Sequence, residues 1–322
     1  MSAILQFLRT WTLPVAMCMG IALYFIYTSI PWLDATHAFV NEAIAIIQPT
    51  LLFLMLFLTF CRVDLHDIRL RRWHLILVAI QMLFFGLTAG VLILLPDLAS
   101  RVLVESAMLC LMCPTATAAA VVTAKLGGNA ASITGYTMLI NLAVALSAPL
   151  LLPLAHPTDG LHFLPAFGAI MARIFPLLIC PLAAAWLVRH LAPKLHRRCA
   201  EARDAGFYLW ALSLMIAIAV TTKAIVHEQT QLWFQLGIAV IALFSCLLQF
   251  GLGRWMGRRY DECTEGGQAL GQKNTVFIIW MGYTFLSPIT TLAGGFYCVW
   301  QTFVNSYQLY RKARQEATER GK

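Results

Sequence analysis

Apolar residues run through this chain in blocks of membrane-crossing length, separated by short polar or basic connectors. A helix needs about 20 mainly apolar residues to cross a bilayer core. Read on that measure, the sequence predicts spans over 11–30, 43–61, 73–95, 100–124 and 129–154. After a Pro/Gly break at His156–Gly160 come 161–188, 205–226, 232–253, 268–286 and 289–310. No small-residue cleavage site follows Ile30, so the first run reads as a span and not as a signal peptide. The pattern predicts an all-α polytopic membrane protein with ten transmembrane helices.

Composition supports this. Of 322 residues, 60% are hydrophobic and 12% charged, against about 25% charged in soluble domains. Where the charges fall matters more than how many there are. With the N-terminus inside, 19 of the 23 Lys and Arg lie in inner segments, around Arg9, Arg62–Arg72, Lys125, Arg189–Arg203, Arg254–Arg259 and Arg311–Lys322. Arg101 and Lys223 fall at outer edges, and Arg173 and Lys273 within spans. The positive-inside rule then predicts a multi-pass protein of the cytoplasmic (inner) membrane with both termini cytoplasmic. A net charge of +8 so placed faces anionic headgroups, which argues against a nucleic-acid partner. Seven of the nine cysteines lie in apolar runs, while Cys199 and Cys263 fall in basic, polar loops. Cys110 and Cys113 have no second Cys/His pair nearby and read as small buried hydrophobes. No predicted outer loop holds a cysteine, so no disulfide framework is expected.

The chain divides near its midpoint into 1–156 (spans one to five) and 161–311 (spans six to ten), with a basic cytoplasmic tail over 312–322. Pro14 is matched by Pro176. The fourth span is interrupted at Cys113-Pro114-Thr115-Ala116-Thr117 and the ninth at Gly271-Gln272-Lys273-Asn274-Thr275. Five spans reverse the chain, so the halves would be inverted repeats with paired broken helices, a pointer to secondary transporters. Unwound backbone at membrane depth survives only where protein or a water-filled cavity satisfies it. Half-helix N-termini there suit an anionic ligand. The plain alternatives are a proline kink with back-bonded threonines, and a ninth span that starts later so that Lys273 snorkels to the interface. A cation at mid-membrane otherwise marks function. The eight histidines fall in loops or at span ends, and no predicted span centre holds Asp or Glu. An acid–base dyad or intramembrane metal cluster is therefore not expected, nor is enzymatic activity.

These segments resemble a known family. Cys113-Pro114-Thr115-Ala116-Thr117-Ala118-Ala119-Ala120-Val121-Val122-Thr123 with Gly128-Asn129 is similar to the fourth-helix signature of the bile acid:sodium symporters. Leu270-Gly271-Gln272-Lys273-Asn274-Thr275, Pro288 and Phe296–Trp300 resemble their ninth and tenth helices. The resemblance implies two inverted five-helix repeats whose helices four and nine are unwound and cross. It also implies a core of helices three to five and eight to ten, which moves against a panel of one, two, six and seven. The implied substrate is a small organic anion moved by alternating access, with Thr115, Thr117, Gln272, Asn274 and Thr302 in contact with it. Lys273 and Gln81 would organise the crossover.

The departures concern the coupling ion. A Ser-Asn pair of the family is Ala119 and Ala120 here, its shared glutamate is Ala269, and a glutamine ligand is Lys273. A helix-five serine aligns with Ile133, which leaves Thr137 and Gln81 as matching oxygen donors. Sodium, a hard cation, needs several oxygens, so the resemblance leaves only degenerate metal sites, with no cofactor expected and sodium in doubt. The reading is a sodium-independent carrier in which the Lys273 ammonium replaces the second ion, or a proton-coupled one if Lys273 titrates. Its competitors are a sodium symporter of the same fold that uses backbone carbonyls, and a membrane sensor without flux. Substrate identity, direction and oligomeric state stay open.

Overall fold

The structure is a computed structural model, and it describes residues 12–62, 70–157, 162–227 and 231–320. Arg9, Arg69 and Lys322, the starts of spans one and six, and most of the His156–Gly160 break lie outside these residues.

The described residues are helical almost throughout. The helices are α1 (Thr12–Thr28), α2 (His37–Cys61), α3 (Arg72–Leu94), α4 (Arg101–Met112), α5 (Ala118–Lys125) and α6 (Ala130–Ala155). They continue with α7 (Phe163–Leu191), α8 (Pro193–Glu201), α9 (Arg203–His227), α10 (Leu232–Arg258), α11 (Cys263–Gly271), α12 (Thr275–Phe285) and α13 (Thr291–Arg320). Six of them are long and apolar enough to cross a membrane: α2, α3, α6, α7, α9 (over Tyr208–His227) and α10. The chain is a multi-pass membrane protein. The predicted spans 100–124 and 268–286 each appear as two short helices, α4/α5 and α11/α12, too short singly to cross. Cys199 and Cys263, read as loop residues, lie in α8 and α11. Residues 312–320, read as a tail, continue α13 as helix.

Two groups of helices emerge from the packing. α9 lies on α1 and α2, and α2 lies on α7, while α3, α4, α6 and α10 to α13 pack among themselves. α6 against α7, and α9 against α12 and α13, join the groups. Glycine sets the closest approach. A Cβ on Gly253 would lie 2.1 Å from the Gly266 carbonyl oxygen, and one on Gly257 2.2 Å from that of Glu262. Backbone-to-backbone contact of this kind is how small residues let apolar helices meet in lipid, and here it fixes α11 against α10. Gly294 does the same for α13 over Ile279 of α12.

Side chains tie the helix ends at two poles. At one, Arg62 donates to the Ala202 carbonyl (2.8 Å) and the Glu265 carboxylate accepts from the Asn129 backbone N–H (2.6 Å). Glu262 at that pole is buried and accepts from Trp73 Nε1 (2.8 Å) and Ser132 Oγ (2.9 Å), with Arg71 paired to its other oxygen. Neighbouring His74 is also fully buried, its Nε2 3.1 Å from Ser132 Oγ. At the opposite pole, buried Glu105 pairs with Arg101 (3.1 Å) and His156 (2.8 Å). Arg173, exposed on α7, has its guanidinium 6.0 Å from the Phe285 ring.

Candidate functional site

Proline alone does not break a helix here, since Pro49, Pro149 and Pro176 lie inside continuous ones, but the first break falls at Pro114. The ring clashes with the preceding turn and biases the residue before it away from helix, and Cys113 takes φ −56°, ψ 135°. The second break has no proline. Gly271 ends α11, Gln272 is extended at φ −84°, ψ 92°, and Asn274 restarts the chain as the N-cap of α12, its Oδ1 accepting from Phe277 N (3.2 Å).

The two breaks lie against each other. Thr115 and Lys273 form an isolated antiparallel bridge, in which Ala116 N donates to Gln272 O (2.8 Å) and Asn274 N to Pro114 O (3.0 Å). Unwound backbone buried from water must find partners, and side chains supply the rest. Thr115 Oγ1 donates to Ala269 O (2.6 Å), Tyr297 OH to Gly271 O (2.9 Å), and Gln249 Nε2 to Cys110 O (3.2 Å). Gln301 Oε1 accepts from Lys273 N (2.9 Å). An amide ladder continues along α13, where Asn305 Nδ2 donates to Gln272 Oε1 while its Oδ1 accepts from Gln268 Nε2 (2.9 Å).

Gln81 on α3 is the junction. Its Nε2 donates to both Met112 O (2.9 Å) and Cys113 O (2.8 Å), the carbonyls freed at the end of α4. Its Oε1 accepts from Lys273 Nζ (2.8 Å) and Tyr136 OH (3.2 Å). All four hydrogen-bonding positions of the amide are therefore used. Lys273 is fully buried, and no carboxylate pairs with it among the described residues. Its ammonium sits behind the C-terminal end of a half-helix, where the backbone dipole favours positive charge.

Beside the bridge lies a cavity of about 240 Å³. Four of the five predicted substrate residues, Thr117, Gln272, Asn274 and Thr302, line it, and Lys273 contributes to its wall. Thr115 does not, since its hydroxyl is turned onto Ala269 O and the residue is buried. Sequence reasoning missed Gln301, Asn305 and Ser306 on α13, and Met55 and Trp210, which close the cavity from α2 and α9. Two amides inside an apolar run were the available signal for Gln301 and Asn305. Met55 and Trp210 carried none. The helices α5 and α12 both begin at the cavity.

The sodium bile acid symporter family matches residues 49–232, 184 of the 322 positions. The chain belongs to the sodium bile acid symporter family. Its members are transporters, and this chain is a transporter of that family. The match includes the first break and ends before the second. Among curated proteins, none matches the chain closely enough to count as a relative.

At the positions that the resemblance assigns to sodium, few free side-chain oxygens remain. Ala119, Ala120 and Ala269 offer no side-chain oxygen. The Thr137 hydroxyl is spent on Ile133 O (2.9 Å) within its own helix, and the Gln81 oxygen is taken by Lys273.

Proposed function

We propose that this protein is a sodium-independent carrier of a small organic anion across the cytoplasmic membrane, working by alternating access. The observation that carries this reading is the Lys273 ammonium on Gln81, which also holds the freed carbonyls of the first break. A cation placed there by the chain itself keeps the crossing assembled at every stage. An ion controls an access equilibrium only by binding its states differently, so a tethered charge removes that control. Thr117, Gln272, Asn274 and Thr302 contact the solute, and Thr115 supports them from behind. Two half-helix N-termini at a cavity lined by no carboxylate among the described residues favour an anion. The cavity volume, below the about 300–1,000 Å³ of drug-sized pockets, favours a compact solute.

In this reading the chain crosses ten times as two inverted repeats, 1–156 and 161–311, with both termini cytoplasmic. The helices around the crossing (α3–α6 and α10–α13) rock against α1, α2, α7 and α9, and the cavity between them is exposed to alternate faces. Met55 and Trp210, reaching the cavity from the second group, would part from the crossing as it moves. The test is a thermal-stabilisation screen of the purified protein with small organic anions, followed by uptake of each stabilising anion into proteoliposomes. Stabilisation with uptake is expected. Stabilisation without uptake would identify a sensor and overturn the carrier reading.

A further inference from the structure

Helix α8 joins α7 to α9 at the pole where Arg62 meets Ala202. The chain turns at Ala192 (φ −137°, ψ 65°) and Pro193 opens the helix, a position where its fixed φ fits and its missing N–H costs nothing. Nine residues then separate two chemistries. Lys194, Arg197, Arg198 and Glu201 recur at helical spacing on one face, and Leu195 and Cys199 share the other. α8 packs on α2 and α7, and Cys199 rests against the main hydrophobic core, so the basic face is held in place by the fold.

Lys194, Arg197 and Arg198 are exposed, and no carboxylate pairs with them among the described residues. Three other cations at this pole are engaged: Arg71 with Glu262, Arg259 over the Trp255 ring at 4.1 Å, and Lys312 with Glu316 at 3.6 Å. Residues 189–203 carry five Lys and Arg against one Glu. Beside the basic face the surface is apolar. Trp186 and Leu195 are half exposed and Leu191 is 75% exposed, where α7 leaves its span.

We propose that α8 binds anionic phospholipid, with Lys194, Arg197 and Arg198 on the headgroup phosphate and Leu191 and Leu195 against the acyl chains. Guanidinium forks match phosphate oxygens, and a basic amphipathic helix lies in the interfacial plane with its apolar side toward the acyl boundary. A free inorganic anion would use the charges and leave the leucines bare, so an amphiphile satisfies both halves of the surface. The site lies apart from the crossing and does not depend on which solute is carried.

The test uses the full chain in neutral detergent, titrated with dioleoyl-phosphatidylglycerol, dioleoyl-phosphatidylcholine or inorganic phosphate, with thermal unfolding and retained lipid as readouts. Phosphatidylglycerol is expected to raise the unfolding temperature by several degrees, and the other two are not. The variant Lys194→Gln/Arg197→Gln/Arg198→Gln should lose at least half of that rise, and each single exchange a part of it. Lys194→Arg/Arg197→Lys/Arg198→Lys, which keeps the charge, should keep more of the rise than the Gln triple does. A matched charge loss outside α8, Lys125→Gln/Arg258→Gln/Arg314→Gln, should keep it too. The proposal fails if the α8 triple, or the singles where the triple does not fold, respond like wild type. It also fails if the outside triple loses as much, or if inorganic phosphate or phosphatidylcholine reproduces the rise.

Discussion

Lys273 Nζ and Gln81 Oε1 lie 2.8 Å apart in the interior, and the same Gln81 amide donates to Met112 O and Cys113 O. One side chain thus binds a charge from the second break and the carbonyls of the first. Removing Gln81 leaves buried groups without their bonds, at about 1–3 kcal/mol for each unpaired group, whereas removing Lys273 leaves Gln81 Oε1 its bond from Tyr136. Gln81→Leu should therefore lower the unfolding temperature more than Lys273→Met, because it strands an ammonium and two carbonyls together. The double variant should be more stable than the summed losses predict, by about 0.5–3 kcal/mol. Strictly additive losses would show that the two residues act independently.

A sodium response should be recoverable by substitution. Lys273→Gln alone restores an amide but leaves Ala269 without an oxygen, and Ala269→Glu alone supplies a carboxylate that Lys273 neutralises. Only Lys273→Gln/Ala269→Glu should unfold at a higher temperature in sodium chloride than in matched choline chloride. A sodium-specific rise in the Lys273→Gln single would place the ion elsewhere.

The amide ladder on α13 should matter for binding as well as stability. Asn305→Leu removes the donor to Gln272 Oε1 and the acceptor of Gln268 Nε2, freeing a cavity-lining side chain to turn. A stability loss of about 1–3 kcal/mol is expected, with at least tenfold weaker stabilisation by whichever anion stabilises wild type. Unchanged anion affinity would remove Asn305 from the site's support.

Cavity occupation can be separated from folding at Ser306, which is exposed and lines the cavity. Ser306→Trp should stay within about 0.5 kcal/mol of wild type in stability, as surface changes do, yet abolish anion-dependent stabilisation and uptake. Uptake at the wild-type rate would place the transport path elsewhere.

Much of this architecture was legible as sequence because it rests on local rules. Pro114 marks a weak point in its span, and Lys273 in an apolar run demands an explanation. What escaped depends on contacts between distant segments. Nothing local to Thr115 says that its hydroxyl will be spent on Ala269 O, because only the crossing brings the two together. Glu262 and Glu265 fall between the predicted spans 232–253 and 268–286, yet the glycine contact of α10 with α11 buries them beside Trp73, Ser132 and Asn129. Gln301 and Asn305 were visible as intramembrane amides, but their task, holding Lys273 N and Gln272 Oε1, appears only once α13 is laid against the second break.

The most direct test of the central claim is uptake of the stabilising anion by wild-type protein in proteoliposomes, with external sodium replaced stepwise by choline at constant ionic strength. If Lys273 stands in for the coupling ion, initial rate and apparent affinity will be the same across the series. A rate that rises with sodium and vanishes in choline would contradict it.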